Sequence, residues 1–252
     1  MKVYLRLIFL SVLLFDSLLA NEKPQLLFYC GITMVKPMRE ISKIVEKEEH
    51  CIIKIIQGGS QDLYDSLKFS KDGDIYLPGS DAYIKKYKKM GFFKRSVNIG
   101  YNQAAIFVQK GNPKNIKDLN YLLDSNISTM LCNPESGSIG KNSKKVLIAF
   151  GGKKFYDKAF DATVEVGTDS RNINKSLIDK MVDMAINWRA SAFWKENRPY
   201  IDIIQIDEKY APRKKLMLTE LSFSKHKDIV KKLLDYSISK EGKDIMKKYG
   251  FR

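Results

Sequence analysis

Apolar residues fall in short runs and helical spacings that alternate along the chain. Gln25 to Cys30 is a short apolar run, the pattern of a strand buried on both faces. Met34 to Lys47 carries Met34, Met38, Ile41 and Val45 at helical spacing. Cys51 to Ile56 is β-branched and predicts a second strand, and Leu63 and Leu67 mark a second helix. Asp74 to Leu77 predicts a third strand, ending in the turn Pro78-Gly79-Ser80, and a helix near Ala82 to Met90 follows. Strand, helix, strand, helix, strand implies a parallel sheet with right-handed crossovers.

A long strand at Asn102 to Val108 leaves this first unit, and Gly111-Asn112-Pro113 breaks the chain after it. A second series then begins, with a helix at Ile116 to Leu123, a strand at Ile127 to Cys132 and a helix at Lys141 to Phe150. A helix at Ile173 to Met181 leads to a strand at Met184 to Trp188. Leu216 to Phe223 predicts a return strand to the first unit, and Asp228 to Tyr249 an amphipathic helical end. The economical architecture is α/β, with two lobes, each a mostly parallel sheet flanked by helices, joined by two connecting strands. The expected division is 21–103 with 217–252 as lobe 1, and 104–216 as lobe 2.

The first twenty residues belong to neither lobe. Lys2 and Arg6 precede an apolar run from Leu7 to Phe15, and Ser17-Leu18-Leu19-Ala20 leads into polar Asn21-Glu22-Lys23. That order is a secretory leader cleaved near Ala20, with an apolar core too short for a membrane anchor. Cleavage leaves about 230 residues, enough for one large or two small α/β lobes. Cys30 follows bulky Phe28-Tyr29, which is not a lipid-attachment context; a free exported product suits a periplasm.

The net charge of +15 raises nucleic acid or an anionic surface as a partner. The lysines, however, are spread along the chain and alternate with acids, which points to solvated faces and away from a nucleic-acid binder. Cys30, Cys51 and Cys132 are an odd number in an exported chain, so at least one stays free. They lack metal-site or redox spacing, and with only His50 and His226 beside them no metal, cofactor or catalytic residue is expected.

Candidate chemistry lies where strands end and helices begin, because ligands of parallel α/β sheets sit beyond the carboxyl ends of the strands. Four such junctions are rich in small and hydroxyl residues. They are Cys30-Gly31-Ile32-Thr33, Gly58-Gly59-Ser60-Gln61, Asn133-Pro134-Glu135-Ser136-Gly137-Ser138 and Thr168-Asp169-Ser170-Arg171. Thr33 and Ser60 are read as N-caps. A helix start offers unpaired N–H groups and about half a positive charge, a hydroxyl adds a donor, and glycine lets the backbone approach an anion. Each such residue alone is explained by capping its own helix; several converging on one cleft favour a small oxyanion.

At these residues the chain resembles the periplasmic molybdate-binding proteins and their class II relatives. Cys30-Gly31-Ile32-Thr33 with Arg39-Glu40-Ile41 is similar to the family's opening turn and helix, and Gly58-Gly59-Ser60-Gln61 to its Gly-Ser-Ser-Gly turn. Gly73-Asp74-Ile75-Tyr76, Gly111-Asn112-Pro113 with Leu119, and Asp183-Met184-Ala185-Ile186-Asn187-Trp188 match further family segments. The ending Ser239-Lys240-Glu241-Gly242 with Lys248-Tyr249-Gly250-Phe251 is nearly literal. The resemblance implies a type II periplasmic-binding-protein fold, a molybdate- or tungstate-like ligand, an inner-membrane ABC permease as partner, and a monomer.

The ligand-binding residues it implies, with those the junctions suggest, are Gly31, Ile32, Thr33, Gly59, Ser60, Gln61, Ser136, Gly137, Ser138, Arg171, Asn187 and Trp188. Departures fall at the site: Thr33 replaces serine, Gly59 removes a hydroxyl, and Trp188 replaces a donor tyrosine. Arg171 or Arg189 entering the cleft would fit a more highly charged or carboxylate ligand, and an inward Glu135 or Asp169 would favour a protonated oxyanion. Other readings are a phosphate- or carboxylate-bearing metabolite, a surface colonisation factor on the same scaffold, and an enzyme acting through Cys30 or Cys132.

Overall fold

The computed structural model describes residues 23–252, so the expected leader and its cleavage site lie outside the described residues. Two five-stranded sheets form the molecule. The first contains β1 (Gln25–Gly31), β2 (Ile52–Gly58), β3 (Ile75–Leu77), β4 (Phe93–Asn102) and β10 (Lys214–Leu221), in the order β2-β1-β3-β10-β4. The second contains β5 (Ala104–Gln109), β6 (Thr129–Cys132), β7 (Glu165–Gly167), β8 (Met184–Trp188) and β9 (Ile201–Gln205), in the order β7-β6-β8-β5-β9. β1 pairs parallel with β2 and β3, and β6 with β7 and β8, while β10, β4, β5 and β9 pair antiparallel.

The chain crosses between sheets twice, from β4 to β5 through Gln103 and from β9 back to β10. Because β10 pairs with β4 from Lys214, residues 214–216, assigned to lobe 2 from the sequence, lie in the first sheet. The chain end closes the same region: Tyr101 and Arg252 exchange backbone hydrogen bonds of 2.6 and 3.2 Å.

The helices are α1 (Val35–Glu48), α2 (Ser60–Ser70), α3 (Ala82–Tyr87), α4 (Ser138–Asp161), α5 (Ser170–Ile178), α6 (Lys227–Ile238) and α7 (Lys240–Lys248). Strand β1 shows why its sequence is apolar throughout. Leu26, Phe28 and Cys30 join the core under α1, α6 and α7, while Leu27 and Tyr29 face a second cluster with Tyr64, Leu67 and Tyr76. A third core fills the other lobe around Phe107, Ile186 and Leu147.

Several elements differ from the sequence reading. The expected Asn102–Val108 strand is the junction of two, and β4 before it was missed because the exposed pair Lys94-Arg95 and the half-buried polar Ser96 and Asn98 leave it neither an apolar run nor a clean alternation. The expected helix at Ile116–Leu123 is a 3-10 turn over Leu119–Leu123, started by Asp118 accepting from Asn120 N–H at 2.8 Å. Upstream, Asn112 holds the N–H and C=O of Ile116 in a loop. Helix α4 continues beyond Phe150 across a kink at Gly152, whose φ of 82° and ψ of 175° break the helical path.

Candidate functional site

Strands β1, β2 and β3 of the first sheet and β6, β7 and β8 of the second end at one cleft between the lobes. It narrows to a cavity lined by Gly31, Ile32, Thr33, Gly58, Gly59, Ser60 and Gly79 from one lobe. Gly137, Ser138, Ile139, Asp169, Ser170 and Trp188 line it from the other. A water centre can range over about 20 Å³ there. As a sphere that space has a radius of about 1.7 Å, and adding a water radius of about 1.4 Å makes room for a body of about 3.1 Å radius. Such a body is a central atom with its oxygens.

Four helix starts meet at this cavity. The 3-10 turn Ile32–Met34 that leads into α1, and helices α2 and α4, begin at Gly31, Gly59 and Gly137 with no side-chain cap. Their opening N–H groups carry the positive end of the helix dipole. Helix α5 differs: Asp169 caps it, accepting from the N–H groups of Arg171 and Asn172 at 2.7 and 3.1 Å. The expected N-cap roles of Thr33 and Ser60 are corrected here. Gly59 is the N-cap of α2, with Ser60 its first residue; Gly31 precedes the 3-10 turn and Met34 is the N-cap of α1, so Thr33 lies inside the turn with its hydroxyl donating to Met34 Sδ at 2.9 Å.

Two hydroxyls are set as donors. Ser60 Oγ accepts from Gly79 N–H at 3.0 Å, and Ser138 Oγ accepts from Trp188 Nε1–H at 3.1 Å. With an acceptor side of each oxygen occupied, each O–H is left to donate. Among the described residues lining the cavity none is Lys or Arg, and the lining carboxylate, Asp169, is engaged by two N–H groups and by Arg171 Nη2 at 3.2 Å. The cavity therefore presents donors and partial positive charge without a full cation.

The lobes touch closely around it. A methyl group at Gly59 would stand 2.7 Å from the Ser136 carbonyl oxygen, and one at Gly79 would stand 2.3 Å from Ser138 Oγ. Lys36 bridges to lobe 2 by an ion pair with Glu196 and lies 4.7 Å over the Trp194 ring. On the opposite side Lys141 Nζ reaches Gln61 Oε1 at 3.3 Å.

Of the twelve residues singled out in the sequence, Gly31, Ile32, Thr33, Gly59, Ser60, Gly137, Ser138 and Trp188 line the cavity, and four do not. Gln61 turns outward to Asp65, Tyr87 and Lys141. Ser136 Oγ donates to the carbonyls of Asn133 and Thr168, tying two loops together. Arg171 is exposed and lines a wider outer groove of about 540 Å³. Asn187 is fully buried on the other face of β8, donating to Ser170 O at 3.0 Å and Asn174 Oδ1 at 2.9 Å. Trp188 lines the cavity, but its indole N–H is spent on Ser138.

Arg189 donates to Gly250 O at 2.7 Å across the lobes, and Glu135 lines an outer groove; neither lines the cavity. Gly58, Gly79, Ile139 and Ser170 also line the cavity and were not among the ligand candidates; Gly58 and Ser170 lay in the junctions already noted, and the turn Pro78-Gly79-Ser80 after a strand was the available signal for Gly79. The strand-end thiols are poor nucleophiles. Burial pushes Cys30 well above the usual thiol range and Cys132 up to about 11, and all three cysteines are free and buried.

The same architecture recurs in known proteins. The Azotobacter vinelandii periplasmic molybdate-binding protein superposes with a TM-score of 0.75 at 11% identity, over 90% of this chain and 98% of that one. The sulfate-binding protein SubI of Mycobacterium tuberculosis gives 0.77 at 15% identity, over 91% and 86%. PEB3 of Campylobacter jejuni with L-phospholactate bound gives 0.73 at 18% identity, over 90% and 99%. These likenesses show the fold, the two-lobed arrangement of type II periplasmic binding proteins. In sequence, a binding protein of Haemophilus influenzae is 23% identical over 230 residues, 91% of each chain. The profile of the bacterial extracellular solute-binding proteins matches residues 26–252, and the chain belongs to that family.

Proposed function

We propose that the protein is the periplasmic receptor of an ABC importer, capturing a small, fully ionised tetrahedral oxyanion of the molybdate, tungstate or sulfate type between its lobes. The observation that carries this reading is the cavity itself. It has room for one XO4-sized body and is walled by uncapped helix starts and by the donating hydroxyls of Ser60 and Ser138. Each charge-assisted hydrogen bond contributes about 1.5–3 kcal/mol. Five or six, less desolvation and ordering, reach the roughly −8 kcal/mol of micromolar binding.

The donor set favours an anion with no proton to give. A protonated oxyanion needs a free acceptor, and the Asp169 carboxylate is already engaged by Arg171 and two N–H groups. Lobe 1 (23–103 and 214–252) and lobe 2 (104–213) would part at Gln103 and in the segment between β9 and β10. Closing traps the anion, and ligand shifts the population by its preference for the closed arrangement. The partner is an inner-membrane permease that reads the closed form, the protein acts as a monomer, and nucleic acid plays no part.

The test is thermal unfolding of the leaderless protein with molybdate, tungstate, sulfate, phosphate, citrate and small phosphorylated acids. A ligand at about 100 Kd adds roughly 2.7 kcal/mol of stability. At least one fully ionised tetrahedral oxyanion is expected to raise Tm more than the organic acids do. Stabilisation by phosphorylated acids alone would replace this ligand with the kind bound to PEB3, and silence from every tetrahedral oxyanion would overturn the reading.

A further inference from the structure

Outside the cavity, on the side of Gln61 and Tyr83, the two lobes form a second and larger concavity of about 430 Å³. Its walls are unusually basic. Lys141, Lys144 and Lys145 fall at positions i, i+3 and i+4 of α4 and share one helix face. Lys85 of α3 and Lys214 of β10 face them from the other lobe. Two carboxylates are present, Asp81 and Glu135, and Asp81 is engaged by Lys85 at 2.6 Å. Among the described residues, Lys141, Lys144, Lys145 and Lys214 have no carboxylate within ion-pair distance.

Like charges that approach across a groove repel, and burial strengthens the effect. Lys214 registers this: burial and Lys145 on the facing wall lower its pKa from the usual lysine range, while Asp81 acts in the opposite sense. Tyr83 and Asn142 line the groove with their accessible parts, while their polar ends are buried. Lys141 Nζ lies 4.9 Å over the Tyr83 ring, so the ammonium and this phenol are already neighbours. Ammonium groups from both lobes that face one groove without counter-charge are missing a ligand with several anionic oxygens.

We propose that this inter-lobe groove, which adjoins the small cavity at Ser138 but is otherwise lined by different residues, is a second anion site that takes a compact polyvalent anion between Lys85 and Lys214 of one lobe and Lys141, Lys144 and Lys145 of the other. The groove is far too large for a single tetrahedral oxyanion and matches a body with two or three anionic groups. Both lobes supply its charges, so the site is complete only when they lie together. It stands whether or not the cavity takes a tetrahedral oxyanion.

The test is calorimetric titration of the leaderless protein with pyrophosphate and with citrate, the phosphate and carboxylate forms of this chemistry. Two triple variants are compared with it. One replaces groove lysines (Lys144→Gln, Lys145→Gln and Lys214→Gln); the other removes the same charge at exposed positions far away (Lys225→Gln, Lys231→Gln and Lys243→Gln). At least one polyanion is expected to bind, at least tenfold more weakly to the groove variant and within about threefold to the distant one, with affinity falling as salt rises. Should the groove triple lose its fold, Lys145→Gln alone, at an exposed position, is expected to weaken binding about threefold. No binding of either polyanion, equal weakening in both triples, or one-for-one displacement by sulfate would overturn the proposal. These outcomes are independent of which tetrahedral oxyanion stabilises the protein.

Discussion

Replacing Gly59 by alanine separates closure from folding. Gly59 has φ −63° and ψ 147°, angles that any residue adopts, so the substitution strains no backbone. The added methyl would lie 2.6 Å from Asp62 Oδ2, a side chain that can swing away, and 2.7 Å from the Ser136 carbonyl oxygen, which belongs to the other lobe and cannot. Ordinary contact begins near 3.4 Å, so the lobes must part by about 0.7 Å at this point. A hydrogen bond of ordinary length stretched by that amount passes beyond useful range. Overpacking of this kind costs about 1–3 kcal/mol. Charged to the closed state alone, that is about 5–150-fold in Kd. In the open arrangement the methyl meets no opposite lobe. Alanine caps a helix less well than glycine, but it also restricts the unfolded chain, and the two effects of under about 1 kcal/mol offset each other. Calorimetry with the best-binding oxyanion, beside thermal unfolding without ligand, reads both quantities. Affinity within twofold of the original, with Tm unchanged, would refute the assigned closure contact.

Two other perturbations follow from the same geometry. Asn187→Leu removes the amide that ties Ser170 O and Asn174 Oδ1 beneath β8, leaving buried polar groups unpaired, and should lower stability by about 2–4 kcal/mol in denaturant unfolding. A variant as stable as the original would show that this network is not structural. For Glu40, burial raises the pKa, but the hydrogen bonds from Lys248 and Tyr249 outweigh it and hold the carboxyl below the usual range. A depressed pKa contributes stability that is present above the unfolded value and lost as pH falls through the folded one. Glu40→Gln should therefore lower Tm by a few degrees at neutral pH, a partly exposed pair contributing up to about 1 kcal/mol, and the gap should close in acid. A gap independent of pH would contradict this.

Legibility followed burial. Met184–Trp188 was readable to the residue because all five side chains are buried and the turn before it is sharp. Strands β4, β7 and β9 were not, because they lie at sheet edges with half-exposed faces, and β7 has three residues. At the site, strand-to-helix junctions were visible as clusters of Gly and Ser, which brought in Gly31, Gly59, Ser60, Gly137 and Ser138. Side-chain direction was not visible. Asn187 and Trp188 are adjacent on one strand and point to opposite faces, so one lines the cavity and the other holds the core. Arg171 looked available to a ligand, yet Asp169 two residues earlier caps α5 and draws the guanidinium outward. That neither Thr33 nor Ser60 caps a helix turns on shifts of one or two residues in the helix starts, which composition does not set.

The central claim is that an anion sits on the helix starts of both lobes without a cation beside it. Backbone amide shifts of the leaderless, isotopically labelled protein, followed as molybdate and, separately, sulfate are added to saturation, test it most directly. The account predicts that for at least one of the two the largest shifts fall at Thr33, Ser60, Ser138 and Ser170, the openings that line the cavity. Unmoved amides there, with the largest shifts at Arg39, Arg171 and Lys175 in the outer groove, would contradict it.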